Sequence, residues 1–402
     1  MSPAIEAGLK SEERQKDMAV RTPRIPAELA RLTQRERELL SLIRDEGPIT
    51  RAALIQRSGL SGTAVFRATE ELAAKGYLLI GDPVASGRGQ PSNLVAINPD
   101  AVFTLGISVM NDFAEAAIMD LTGTVRRIAE ISAPGMRRAD IINHALAFLE
   151  HALASGLPRA AFAGVGVALA GYFVDHGGRL LNPASALDDW AMVDLESALS
   201  PRFNLPVTVD NIANSAAVGE LMLGAGSRFR SFAYVNFAFG FGGGVVIEGR
   251  PWRGAHGNAG EFASILNDIN SFVPSLESLR LRLAATGIAV GSVTELVANF
   301  DPNWPVLDGW IADAAVSIRL LAKVIGAGLD VEAVVLGGRL PPVLAERLAA
   351  AASLSKSKLD AGARRGMARP MPAIVPAAIS SRASVIGAAA LSMPFLRSGG
   401  KQ

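Results

Sequence analysis

The 402-residue chain contains no cysteine. Disulfides and any Cys-ligated zinc are thereby excluded. Histidine is nearly as scarce, and His144, His151, His176 and His256 are scattered in sequence and suggest no metal set. His256, in RGAHGNAGE, reads either as a cleft-lining residue or as part of a surface loop. Excess charge of either sign is also missing. The formal net charge is +1, so any nucleic-acid binding must come from a local surface. No apolar run has the length and continuity of a membrane span. The nearest, SFAYVNFAFGFGGGVVI, is broken by four glycines and reads as a strand hairpin. The first residues, MSPAIEAGLKSEERQKDM, lack the apolar core of an export signal, so a cytoplasmic location is expected. Half of the residues are hydrophobic, and the length predicts two or three domains.

The strongest local signal lies at residues 47–97. GPITRAALIQRSGLSGTAVFRATEELAAKGYLLI predicts a short helix, a turn at Gly59-Leu60 and a second helix opened by Ser61. GDPVASGRGQPSNLVAINP then predicts a hairpin. A preceding helix begins near Leu32, carries Leu39, Leu40 and Ile43 on one stripe, and stops at Gly47-Pro48. Two helices joined by a tight turn can lay the second in the major groove, with a hairpin beside it reaching phosphates or the minor groove. Thr50 is placed to cap the first of these helices and Arg51 to meet a phosphate. Val65, Ala68 and Leu72 recur at helical spacing, which leaves Gly62, Thr63, Phe66, Arg67 and Glu70 outward. Thr63 and Arg67 can then reach base edges, and Phe66 a thymine methyl group. Arg88, between glycines in GRGQP, suits a narrow minor groove. The alternative is a small helical domain that binds protein, with Phe66 at the interface or in its core.

After Pro99 the pattern changes. AVFTLGISVM, FAEAAIMDL and TVRRIAEISA read as strands, followed by a helix at 138–154 and the strand FAGVGVAL. SFAYVNFAF and GGGVVIEG are strands of a second half, with a long helix in VLDGWIADAAVSIRLLAKVIGAGL, the strand EAVVLGG and a closing helix near 381–392. The repeated order predicts two similar α/β lobes with a cleft between them, where ligands usually bind. The expected division is a mobile tail at 1–30, a winged helix-turn-helix domain at 31–98, and a two-lobed domain at 99–395 with lobes of about 99–215 and 216–395.

The chain resembles the ROK family of repressors, open reading frames and sugar kinases. The resemblance covers about residues 35–395. ITRAALIQRSGLSGTAVFRATEELAAKGYL, GRGQPSNLVAINPD, GVGVALAGYFVD, LPVTVDNIANSAAVGELMLGAG, FGFGGGVVIEGRPWRGAHGNAGEF and VVLGGRL carry it together. It implies a winged helix-turn-helix joined to an actin-like, ribonuclease H-like ATPase-type domain. The family's kinases hold ATP phosphates with D-x-G-G-T, but Ser108–Asp112 here keeps no glycine. Their catalytic aspartate, in E-N-D-A-N, falls on Ile212, which accepts no proton. Loss of such a base costs roughly 10²–10⁴-fold in rate. Asp210 lies two residues earlier; on a strand it would share the facing of Ile212, about 6–7 Å away. The threonine of the second phosphate loop is Phe239, so FGFGGG reads as a hairpin turn. The zinc-site histidine is Ser264, and the cysteine positions fall on Asp268, Asn270 and Ser275.

Other positions match the resemblance. Asn182, Asn211, Glu261 and Glu277 correspond to sugar-hydroxyl contacts, and carboxylates and amides pair well with vicinal hydroxyls. They read equally as ordinary helix-end and loop polars. Trp190 reads either as an aromatic beside the sugar or as core. The expectation is a DNA-binding regulator, a repressor of sugar uptake or catabolism genes. It would act without catalytic residues, cofactor or metal, bind a palindromic operator as at least a dimer, and respond to a carbohydrate. The alternatives are a sugar kinase using Asp210 and a regulator controlled by a protein partner.

Overall fold

The structure is a computed structural model that describes residues 32–84, 91–175, 177–183, 185–354 and 370–393. The expected tail at 1–30, Arg88 and His176 lie outside the described residues.

The winged module is built on capped helices. α1 (Gln34–Glu46) opens with a capping box in which Thr33 and Glu36 satisfy each other's backbone N–H groups. Its Leu39, Leu40 and Ile43 are buried, as their spacing predicts. β1 (Ile49–Thr50) leads into α2 (Arg51–Ser58), where the Thr50 hydroxyl accepts from the Ala53 N–H at 3.2 Å. Gly59 ends α2 at φ 67°, a left-handed turn that glycine adopts without penalty. Ser61 then caps α3 (Gly62–Ala74). β2 (Leu78–Val84) and β3 (Ser92–Ile97) form the hairpin, and the sheet order is β1-β3-β2.

Lys75, just past α3, pairs with Glu36 at 2.6 Å and so ties α3 to the start of α1. Burial pushes the Glu36 carboxyl up, but Lys75 and the Thr33 donors outweigh it and hold it below the usual carboxylate value. A depressed carboxylate contributes stability above its unfolded pKa and loses it as pH falls through the folded one. Acidification below about pH 4.5 should therefore loosen the module, and Glu36→Gln should flatten that acid limb. Intrinsic fluorescence cannot isolate it, so hydrogen exchange of α1 amides against pH is the measurement.

The larger part repeats one plan. β4 (Phe103–Val109), β5 (Ala114–Asp120) and β6 (Val125–Ile131) make an antiparallel meander. α4 (Arg138–Ala154) follows, then β7 (Phe162–Leu169) parallel to β4. A two-stranded ribbon of β8 (Tyr172–Phe173) and β9 (Leu181–Asn182) comes next. α5 (Leu195–Phe203) and β10 (Val207–Asn211) complete a sheet ordered β10-β7-β4-β5-β6. α6 (Ile212–Leu223) leads to the second copy of the plan. There β11 (Phe232–Phe237), β12 (Phe241–Ile247) and β13 (Arg250–Trp252) form the meander. α7 (Phe262–Asp268), α8 (Leu276–Ala285), α9 (Val293–Ala298) and the long α10 (Leu307–Gly328) intervene. β14 (Ala333–Gly338), α11 (Pro342–Ala352) and β15 (Ala373–Pro376) close a sheet ordered β13-β12-β11-β14-β15. Strand for strand, the two sheets have one topology.

The last helix, α12 (Ala383–Ala390), packs on β4, β5 and β7 of the first sheet. α6 packs on β11 and β12 of the second, and the two helices pack on each other between the sheets. Every residue of α12 is buried, consistent with its small, apolar sequence ASVIGAAA. A division of lobes at 215/216 falls inside α6, which serves both. Val385, Ile386 and Ala389 belong to one apolar cluster with Leu39, Leu54, Leu72 and Val95 of the winged module. Among the described residues, no helix is long and apolar enough to cross a membrane.

Candidate nucleic-acid interface and ligand cleft

α3 buries Val65, Thr69 and Leu72 and turns Gly62, Thr63, Phe66, Arg67 and Glu70 outward. Arg67 is 81% exposed and reaches Glu71 one turn along, at 2.8 Å. Such an exposed pair contributes little stability, so the guanidinium can change partner at little cost. Arg51, expected at a phosphate, sits differently. Its side chain is 11% exposed, donates to Glu70 at 2.5 Å, and lies over the Phe66 ring. Thr50 and Ser61 spend their hydroxyls on helix caps.

The second site lies where β8, β9, β10 and the segment before α7 meet. Asn211 ends β10 and caps α6, its Oδ1 accepting from the Ala213 N–H at 2.7 Å. Its Nδ2 donates to the Gly171 carbonyl and faces Glu261 Oε1 at 3.5 Å. Burial pushes the Glu261 carboxyl above its usual value. The Asn182 backbone crowds Gly171, whose Cβ would fall 2.8 Å from the Asn182 carbonyl oxygen. The Asn182 side chain donates to the Tyr172 hydroxyl at 2.8 Å. Asn211 and Glu261 thus face each other, and the Asn182 backbone adjoins them through Gly171. Glu277 does not join them by any hydrogen bond or ion pair, and its carboxylate is held by Arg280 on its own helix at 2.6 Å.

Asp210 is not a free base. Arg253 grips its Oδ2 with Nε and Nη2, both at 2.6 Å, and its Oδ1 accepts from the Asn211 N–H and the Asn214 amide. The strand reading that gave Asp210 and Ile212 a common facing also fails, because the chain turns from strand to helix between Asn211 and Ile212. Ile212 is buried with Met110, Ala168, Ala238 and Ala388. The loop after β4 carries Asp112. It accepts from the Thr294 N–H at 2.8 Å, and Arg339 bridges to Thr294 at 2.8 Å from the end of β14. Arg339 also lies 4.3 Å from the centre of the Phe113 ring. Sequence patterns gave no sign of this cross-sheet cluster, since its members are distant in the chain. Residues 238–240 turn between β11 and β12, so FGFGGG is a hairpin. Ser264 donates to the Glu261 carbonyl, and Ser275 caps α8. Trp190 is core, its indole N–H bonded to the Met136 carbonyl, and His256 lies on an exposed loop.

A winged helix-turn-helix DNA-binding model matches residues 32–78, and the ROK family model matches residues 104–273. Over residues 104–273 the chain is similar to the ROK family. An uncharacterized protein of Sinorhizobium fredii is 27% identical over 373 residues, 92% of each chain. The xylose repressor of Bacillus subtilis is 29% identical over 239 residues, 58% of this chain and 60% of that protein. The match thus spans less than two thirds of the repressor. Among solved structures, a ROK family transcriptional regulator, homolog of the E. coli MLC protein, superposes with a TM-score of 0.65 at 19% identity. That superposition covers 90% of this chain and 96% of the other. The ROK family glucokinase of Streptomyces griseus, solved with glucose and AMPPNP, gives 0.55 at 23% identity over 72% of this chain and 98% of its own. At these identities the likeness is one of fold. The architecture shared here is the winged module followed by the two matching sheets.

Proposed function

We propose that the chain is a sugar-responsive, DNA-binding transcriptional repressor whose kinase-like body binds a sugar without phosphorylating it. The observation that carries this reading is the divided cleft. Asn211 and Glu261 face each other on one side, with Asn182 adjoining through Gly171, and their amide and carboxylate groups suit vicinal hydroxyls. Asp210 is tied to Arg253, and Asp112, Thr294 and Arg339 occupy one another where the resemblance expects nucleotide phosphates. The xylose repressor relatives support the same reading and make xylose the first sugar to test. DNA contacts are assigned to Gly62, Thr63, Phe66 and Arg67 on α3, with Thr50 and Ser61 fixing the ends of α2 and α3. Arg88 is assigned to the minor groove on its sequence context. Residues 31–98 and 99–395 are taken as the two functional parts, acting as a dimer on a palindromic site in the cytoplasm.

Coupling runs through contact. Asn211 caps α6, α6 packs on α12, and α12 shares an apolar cluster with the winged module. A sugar that draws Asn211 toward itself would bias that helix pair, and with it the spacing of the two recognition helices. The test is fluorescence anisotropy of the full chain on duplex DNA from upstream of its own reading frame. Sugar should weaken binding by roughly 5–150-fold, the usual range of such coupling. Arg67→Ala should relax preference at one or two base pairs. Consumption of ATP with formation of a sugar phosphate overturns the reading, as does indifference to duplex DNA.

A further inference from the structure

Phe66 is a bulky ring standing 54% exposed on the outer face of α3. A ring in that position is free to change rotamer unless something holds it. Arg51, in the first turn of α2, does so. Its guanidinium carbon lies 4.7 Å from the ring centre, and its Nη2 donates to Glu70. Phe66 and Glu70 are four residues apart, neighbours on one helix face. The Arg51 Nε is buried and has no acceptor. A cation that met a phosphate would keep its N–H groups toward solvent; this one is turned onto a ring and a carboxylate. Its planar guanidinium can stack on the ring and donate in a fork at once, whereas an ammonium, a compact point charge, can do neither in that fixed geometry. Glu70, for its part, would repel a DNA backbone if its charge were left uncompensated.

We propose that Arg51 is a positioning residue that, with Glu70, clamps the Phe66 ring for apolar contact with a thymine methyl group, and makes no phosphate contact of its own. This rests on the DNA-binding reading and deepens it. Arg67 is the contrast, because its own side chain stands 81% exposed where that of Arg51 is 11% exposed, although their glutamate partners are exposed alike. Arg51 sets where the ring points; Arg67 supplies charge to the nucleic acid.

The experiment uses the full chain and a duplex selected from a random pool by the wild-type protein. Affinity is measured across a salt series for wild type, Arg51→Gln, Arg51→Lys, Glu70→Gln and Phe66→Leu. Each duplex is also made with uracil in place of single thymines. At one thymine, wild type should lose about fourfold with uracil, the worth of one buried methyl group. Arg51→Gln, Arg51→Lys and Phe66→Leu should each be indifferent to that exchange, and Glu70→Gln should share the defect. The slope of log affinity against log salt should stay unchanged in Arg51→Gln. A slope shallower by about 0.9, with uniform loss across sequences and rescue by Arg51→Lys, would make Arg51 a phosphate contact and sink the proposal. If Arg51→Gln does not fold, Glu70→Gln and Phe66→Leu still decide it through the uracil exchange. Failure of the wild-type chain to select any duplex would instead overturn the DNA-binding reading itself.

Discussion

Gly387→Ala should be among the most destabilising single substitutions in this chain. A Cβ at Gly387 would lie 1.6 Å from the Ser215 carbonyl oxygen and 3.0 Å from the Gly219 nitrogen. Both are backbone atoms of α6, so no side chain can swing aside. Nor can α12 retreat toward the sheet behind it. There Gly106 of β4 and Gly166 of β7 already touch its backbone, with Cβ positions 2.4 Å from the Val385 oxygen and 1.8 Å from the Ala388 oxygen. α12 is therefore held on two sides by contacts that only glycine permits. Overpacking usually costs 1–3 kcal/mol through relaxation of neighbours; with relaxation blocked on both faces the cost should reach about 4 kcal/mol. For a body of this size that is a fall in melting temperature of roughly 10 °C by calorimetry. Gly309→Ala is the control. Gly309 lies in α10 with nothing within 4 Å of its Cβ position, and alanine there should stabilise by about 0.5–1 kcal/mol. A Gly387→Ala protein that melts with wild type would mean that the helix pair is not packed this way. Because α12 also shares the winged module's apolar cluster, the substitution should weaken DNA binding too.

The features legible in the sequence were those set by local periodicity. Leu39, Leu40 and Ile43 predict the buried stripe of α1, Thr50 and Ser61 predict their caps, and the apolar runs predict the long strands. α4 falls at 138–154, where its pattern places it. Short edge strands escaped, since the three residues of β13 and the four of β15 carry too little pattern to distinguish strand from loop. The site was legible only in part, for a different reason. Asn211 and Glu261 are 50 residues apart and meet at 3.5 Å, as their separate chemistry suggests. Glu277 has equally suitable chemistry, but Arg280 stands one turn away and takes its carboxylate. The facing of Asp210 was misread because a strand becomes a helix within one residue of it, and periodicity has no purchase at such a junction. Partners such as Arg253 and Arg339 are fixed by tertiary packing, which leaves no trace in spacing.

The Asp210–Arg253 pair gives the other large expectation. Asp210 is 2% exposed by its side chain and Arg253 is 43% exposed, so the two ends respond differently to removal. Arg253→Met would strand a buried carboxylate with, among the described residues, the Asn211 N–H and the Asn214 amide as its donors. Breaking a fully buried pair costs about 3–5 kcal/mol. Half-exposure of Arg253 screens part of this interaction, so about 2–3 kcal/mol is expected here. Asp210→Asn keeps the shape of the side chain and frees an arginine that water can solvate, so it should cost less. The double variant should be more stable than Arg253→Met alone, a coupling that a double-mutant cycle in urea measures directly. Function should follow geometry. Arg253 opens the segment that carries Asn258 and Glu261, and the Asn214 amide reaches the Gly257 carbonyl in the same segment at 3.1 Å. Releasing that segment should move Glu261 away from Asn211 and abolish the sugar's effect on DNA binding, while operator affinity without sugar stays within about twofold, since the recognition face lies elsewhere. If Arg253→Met left the sugar response intact, Glu261 would not depend on this ion pair, and the cleft would have to be assigned to other residues.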